Sequence, residues 1–229
     1  MSLDPVPAEL AELLVAEPLP QQSFSWNRMP WREQMHDLPD VLTALDALPD
    51  RVDRSSTREI VLAELDAGRI LPAFVSAMIW GHGGTGFGPV RTRWILTGVR
   101  SHRAREAPVL ELVSERLGEG AATARQHGPL RAYQLMNNAG GVKHLGAAFF
   151  TKWLYFASAI QGPDDPVSAP IIDSKVTGWL EEHAGVTLDV NRTSSYEIYL
   201  NLLNAWSEHY GRSPVQVEKA IFGLATGRS

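Results

Sequence analysis

Between Leu145 and Pro163 the chain carries one charged side chain, Lys152. At helical spacing Phe149, Phe150, Trp153, Leu154, Ala157 and Ile160 form one apolar stripe, while Ala148, Tyr155, Phe156 and Ala159 share the stripe of Lys152. A helix apolar on both faces belongs inside a fold, so the remaining chain has to wrap around it. Lys152 then either snorkels its ammonium to the surface or holds it in a partly dry pocket, where desolvation favours the neutral, nucleophilic amine. A Pro- and Asp-rich loop and a short apolar run, Ile171 and Ile172, lead on to Asp173, 173 − 152 = 21 residues later. Asp173 has the type and position of a helix N-cap, with Ser174 to Leu180 continuing the helix. Backbone N–H groups and the positive helix end stabilise a carboxylate there. A poised amine beside a fixed carboxylate suits displacement at a sugar carbon. A lone lysine and a capping aspartate are equally ordinary parts of a structural helix, and these residues alone leave both readings open.

The rest of the chain reads as further helices. Ala8 to Val15 predicts a short helix ended by Pro18 and Pro20. Trp26, Trp31 and Met35 alternate with Arg28, Arg32 and His36, which suggests a loop packed on the body. Leu38 to Leu48 and Ser55 to Leu71 read as amphipathic helices, the second capped by Ser56 or Thr57. A third, about Pro72 to Trp80, runs into the glycine-rich stretch from Gly81 to Pro89. That stretch follows a helix and lacks a Gly-Lys-Ser/Thr ending, so it predicts a helix–helix connection rather than a phosphate loop, with His82 solvated. Ser194 to Tyr210 predicts a helix stopped by Gly211, and Ser213-Pro214 the N-cap and first residue of a last helix to about Leu224.

Several of these segments resemble the helix-hairpin-helix DNA glycosylases, and within them the 8-oxoguanine glycosylase branch. Thr151-Lys152 resembles the Thr-Lys pair that opens the helix after that family's hairpin and supplies its nucleophile. Ala169-Pro170-Ile171-Ile172-Asp173 resembles its Val-Pro-Val-Asp, and Gln22-Ser23-Phe24-Ser25-Trp26 its Gln-Ser-Phe-Arg-Trp. The resemblance implies a mainly α fold in which two helical lobes flank a DNA-binding cleft. Residues 1–229 would form one unit, with 1–20 a peripheral arm and 130–190 the hairpin and catalytic region. Lys152 and Asp173 would be catalytic. The base would lie between Phe156 and Phe222, with the Gln21 carbonyl at its N7 edge and Glu218 at its Watson–Crick edge, where a carboxylate suits the N1–H and N2–H₂ donors of a guanine-type base. Read without the resemblance, Phe222 is core and Glu218 solvated. Lys175 stands where the family has a basic phosphate contact. The hairpin glycines of the family are replaced by Gly146-Ala147-Ala148-Phe149-Phe150, so Lys143 or His144 is expected to take the DNA phosphate.

Composition narrows the class. Zero cysteines exclude disulfides, cysteine-held zinc and the four-cysteine cluster of one glycosylase branch. The net charge is −5, yet residues 91–175 hold 11 basic and 7 acidic side chains, which permits a local DNA-facing surface. With no secretory leader or membrane-length apolar span, a cytoplasmic monomer is expected, nucleoid-associated when on DNA, with no cofactor or metal. Its partner would be double-stranded DNA containing a modified base, released by base flipping and leaving a Schiff base that permits AP lyase chemistry. Other readings are a glycosylase for another modified base, for example in phage DNA, a non-catalytic DNA-binding or interaction module, and an aldolase-like enzyme acting on small carbonyl compounds.

Overall fold

The computed structural model describes residues 5–17 and 21–227. In chain order its helices are α1 (Ala8–Val15), α2 (Arg28–Gln34), α3 (Pro39–Ala47), α4 (Arg54–Asp66), α5 (Ile70–His82), α6 (Gly88–Thr97), α7 (Glu111–Met136), α8 (Ala147–Ser158), α9 (Ser174–Ala184), α10 (Thr193–Tyr210) and α11 (Pro214–Thr226). Two short strands, β1 (Phe24–Ser25) and β2 (Arg51–Val52), pair antiparallel. The fold is mainly α, as the sequence pattern indicates.

The two most apolar helices meet at the centre. In α5 every residue from Pro72 to Trp80 is buried, and α8 buries all but Ala148, Phe149 and Lys152. Phe74 meets Trp153 edge-on at 5.7 Å and Trp80 meets Phe156 at 5.1 Å, a geometry that favours the ring quadrupoles. Helix α8 packs on α4 and α5 on one side and on α7 on the other. The group α2 to α6 surrounds the first side, and α7 with α10, α11, α9 and α1 forms the second. One continuous core runs through both groups.

Local chemistry sets most of the boundaries. Ser213 and Gln216 form a capping box at α11, and Gly211, left-handed at φ 62°, ends α10. Four expectations are corrected. Helix α8 stops at Ser158, where Arg58 donates to the carbonyls of Ala159 and Ile160 and Arg125 Nε to that of Ala157; Ile160 is therefore off the stripe and 54% exposed. The cap of α4 is Asp53, with Ser56 as its box partner and Thr57 buried. Residues 28–34 are a helix, not a loop, because the Asn27 side chain caps it and Pro30 falls in the first turn, where its missing N–H is not needed. Thr151-Lys152 lies one turn inside α8 rather than at its start.

Within the stretch expected to be an arm, α1 packs on α11. Leu10 and Leu14 are buried, and Arg212 donates to the carbonyls of Leu14 (2.9 Å) and Ala16 (2.6 Å). The expected terminators Pro18 and Pro20 lie outside the described residues.

Candidate active site

Among the described residues the extended run before Asp173 has no strand partner, and side chains satisfy its backbone groups. Ala169 N–H donates to Ser158 Oγ at 3.0 Å and Ile172 N–H to Thr151 Oγ1 at 3.3 Å. From the other side, Tyr196 and Tyr199 of α10 donate to the carbonyls of Pro170 and Ile171, each at 2.8 Å. These four bonds lay the run along α8, ending beside Thr151. Asp173 consequently emerges next to Lys152.

Lys152 Nζ is 3.5 Å from Asp173 Oδ2, and the two side chains are only 12% and 11% exposed. The other carboxylate oxygen, Oδ1, accepts from the N–H groups of Lys175 (3.0 Å) and Val176 (3.2 Å), the N-cap role expected of Asp173. Burial pulls the Lys152 amine below the ordinary lysine value, and Asp173 only partly opposes this. The lysine stem passes close to α5, where Gly81 has no Cβ; one built there would lie 3.1 Å from Lys152 Cδ.

Two of the expected base-binding residues, Gln21 and Glu218, bond to one residue that the sequence pattern did not single out, Arg54, and a third, Phe156, packs on the Trp80 ring beside it. Glu218 is 1% exposed, so it is not solvated; both its oxygens accept from Arg54 Nη2, at 2.9 and 2.8 Å. Burial raises the Glu218 carboxyl and Arg54 opposes it. The guanidinium lies 5.3 Å from the Trp80 ring and 4.9 Å from that of Tyr155. Gln21 Oε1 accepts from the Arg54 N–H and the Trp80 indole, each at 3.0 Å. Phe156 is wholly buried against Trp80, while Phe222, four residues past Glu218, is half-buried. The cluster is closed. A signal for Arg54 was present: it shares the buried face of α4 with Thr57 and Val61 at i+3 and i+7.

His82 corrects another expectation. It ends α5 with its ring 4.2 Å from Phe149 and 6.3 Å from Trp31, so it is largely buried rather than solvated. Desolvation, with Lys152 and Arg91 nearby, lowers its pKa to about 3, leaving it neutral at physiological pH. Gly88 makes this possible, because a Cβ there would fall 2.7 Å from His82 Cβ. As expected, the glycine-rich stretch is a helix–helix connection.

Next to His82 lies a cavity of about 300 Å³ lined by Arg91, Trp94, Ile95, Arg100, His144 and Phe149 as well. Lys143 and His144 are exposed beside the end of α6, with His144 Nε2 3.3 Å from Gly98 O. The places expected for hairpin glycines are already helical from Ala147, so no glycine nest forms there. Lys175, also exposed, lines a separate groove with Glu9, Glu182 and His183. Among the described residues no helix is long and apolar enough to cross a membrane.

Compared with known proteins, residues 17–222 match the family model described as "Putative 8-oxoguanine DNA glycosylase OGG-like protein". No curated protein and no solved structure matches the chain.

Proposed function

Because the chain belongs to the 8-oxoguanine DNA glycosylase OGG-like family, we propose that it excises an oxidised or otherwise modified purine from DNA with Lys152 as nucleophile. The observation that carries this reading is the buried Lys152 amine 3.5 Å from the Asp173 carboxylate. The target nucleotide leaves the stack, since its C1′ is out of reach inside a duplex. The lone pair of the neutral amine then attacks C1′, the C1′–N9 bond breaks, and the base departs with the bonding pair and takes up a proton. Asp173, held by its two cap hydrogen bonds, stabilises the positive charge that develops on the sugar. Ring opening leaves a Schiff base between Lys152 and C1′, from which β-elimination nicks the strand. Arg54 and Glu218 form a buried polar pair closed over in the structure, and in this reading the cluster opens as the base enters, so that the pair rather than Glu218 alone meets the base edge. Lys143, His144 and Lys175 supply phosphate contacts from the exposed surface.

Incubation with duplexes carrying 8-oxoguanine opposite each normal base tests this directly. Release of the free oxidised base by the parent protein, and none by Lys152→Gln, is expected; release by both would refute the assignment. A panel with other modified purines identifies the substrate within the class.

Gly81 provides a subtler test. Gly81→Ala adds helix propensity of about 1 kcal/mol but brings a methyl to 3.1 Å from Lys152 Cδ, tight enough to push the stem aside. Thermal stability is expected to hold or rise while single-turnover excision slows about tenfold, since displacing a reacting group by a fraction of an ångström is costly. Equal excision rates would show that the amine is not poised by this contact.

A further inference from the structure

The cavity beside Phe149 holds none of the reacting groups and shares only His144 with the contacts above, yet its lining points to a ligand. Arg91 and Arg100 are both exposed; the first lies 5.6 Å from the Phe87 ring and the second 5.6 Å from the Trp94 ring. Further in, Trp94 Nε1 and His82 Nε2 are buried with no hydrogen-bond partner among the described residues. A buried polar group left unpaired costs about 1–3 kcal/mol. His144 completes the wall with φ 68°, a left-handed conformation uncommon outside glycine that tends to persist where a site demands it.

These groups divide into two kinds. Two guanidiniums match the oxygens of a phosphate, which Arg binds in bidentate fashion. The rings of Trp94, Phe149 and His82, the last two packed on each other, make an aromatic wall that matches the apolar body of a base. Inorganic phosphate would leave the rings unused, and a neutral apolar molecule would leave the cations unused. The volume is at the small end of ligand sites, about 300 Å³.

We propose that this cavity binds one phosphate-bearing nucleotide of the DNA, neighbouring the one Lys152 attacks, with its phosphate at Arg91 and Arg100 and its base against Trp94 and Phe149. The DNA source rests on the glycosylase reading; the nucleotide chemistry does not. Phe149 links the two sites, its ring being 5.0 Å from the Lys152 amine and 4.2 Å from His82. The site also supplies the backbone anchor that the helical start of α8 denies to a glycine hairpin.

An Arg91→Gln/Arg100→Gln double variant tests the proposal, because both side chains are exposed. Anisotropy titrations with a fluorescent lesion duplex at several salt concentrations are expected to show affinity about tenfold or more weaker at low salt. The log–log salt slope should fall by about one to two, as for one or two lost phosphate contacts. Trp94→Phe should weaken binding without changing the slope. A double variant that keeps both the affinity and the slope of its parent would overturn the site. Deoxyguanosine monophosphate and inorganic phosphate serve as competitors: tighter binding of the free nucleotide than of the duplex would overturn the DNA source. A parent that binds DNA through these arginines but releases no base would refute the glycosylase reading and leave the site standing.

Discussion

Glu218→Ala is expected to destabilise the protein by about 3–5 kcal/mol, the usual consequence of leaving one member of a buried ion pair unmatched. Arg54 makes the effect large. Its guanidinium is almost wholly buried, and among the described residues Nε and Nη1 have no hydrogen-bond partner while Nη2 donates to Glu218. Two aromatic faces soften the loss without supplying a counter-charge. Removing both charges, as Arg54→Met with Glu218→Leu, is expected to restore much of the stability, since well-packed apolar replacements often match a buried pair. Urea denaturation of the three proteins measures this. A single Glu218→Ala change within about 0.5 kcal/mol of the parent, the size of an ordinary surface substitution, would mean that the pair is not closed in solution.

Asp173→Asn is expected to lower the excision rate by about 10²–10³-fold while leaving the fold intact. The rate falls because a neutral amide cannot stabilise positive charge at the sugar; the magnitude is typical for one preorganised electrostatic group. The fold survives because Asn caps helices about as well as Asp. The pH profile separates this role from a structural one. Lys152 attacks as the neutral amine, so activity rises as pH passes its pKa, which burial already holds below the ordinary lysine value. Asp173 opposes that lowering, so its loss should move the rising limb to lower pH even as the plateau rate drops. A limb that stays in place, with the rate lowered, would indicate that the carboxylate does not face the amine in solution.

Much of this site was legible in the sequence, and the reasons are local. A single cation in an apolar helix has few environments available, and an Asp before Ser-Lys-Val-Thr has the pattern of a cap; both signals lie within a few residues. The same holds for Ser213-Pro214 and Gly211. At α4, Asp53, Ser55, Ser56 and Thr57 are all capping types, and the helix that buries Arg54, Thr57 and Val61 on one face starts early enough to make Asp53 the cap. Arg54 was missed because its partner stands 164 residues away, and His82 because its burial depends on Gly88 and Phe149, which only packing brings together. Glu218 was expected to be either solvated or facing a base, and its pairing with Arg54 follows from the docking of α11 near α4, which no local pattern encodes.

In the proposed reaction the amine at position 152 becomes covalently attached to the sugar. Four lysines are present, at positions 143, 152, 175 and 219, so site mapping is decisive. Borohydride reduces a Schiff base to a stable secondary amine, and peptide mass mapping of the protein trapped on an 8-oxoguanine duplex then locates the adduct. The adduct is expected on Lys152 alone and absent from Lys152→Gln; an adduct on another amine, or undiminished trapping of the variant, would contradict the account.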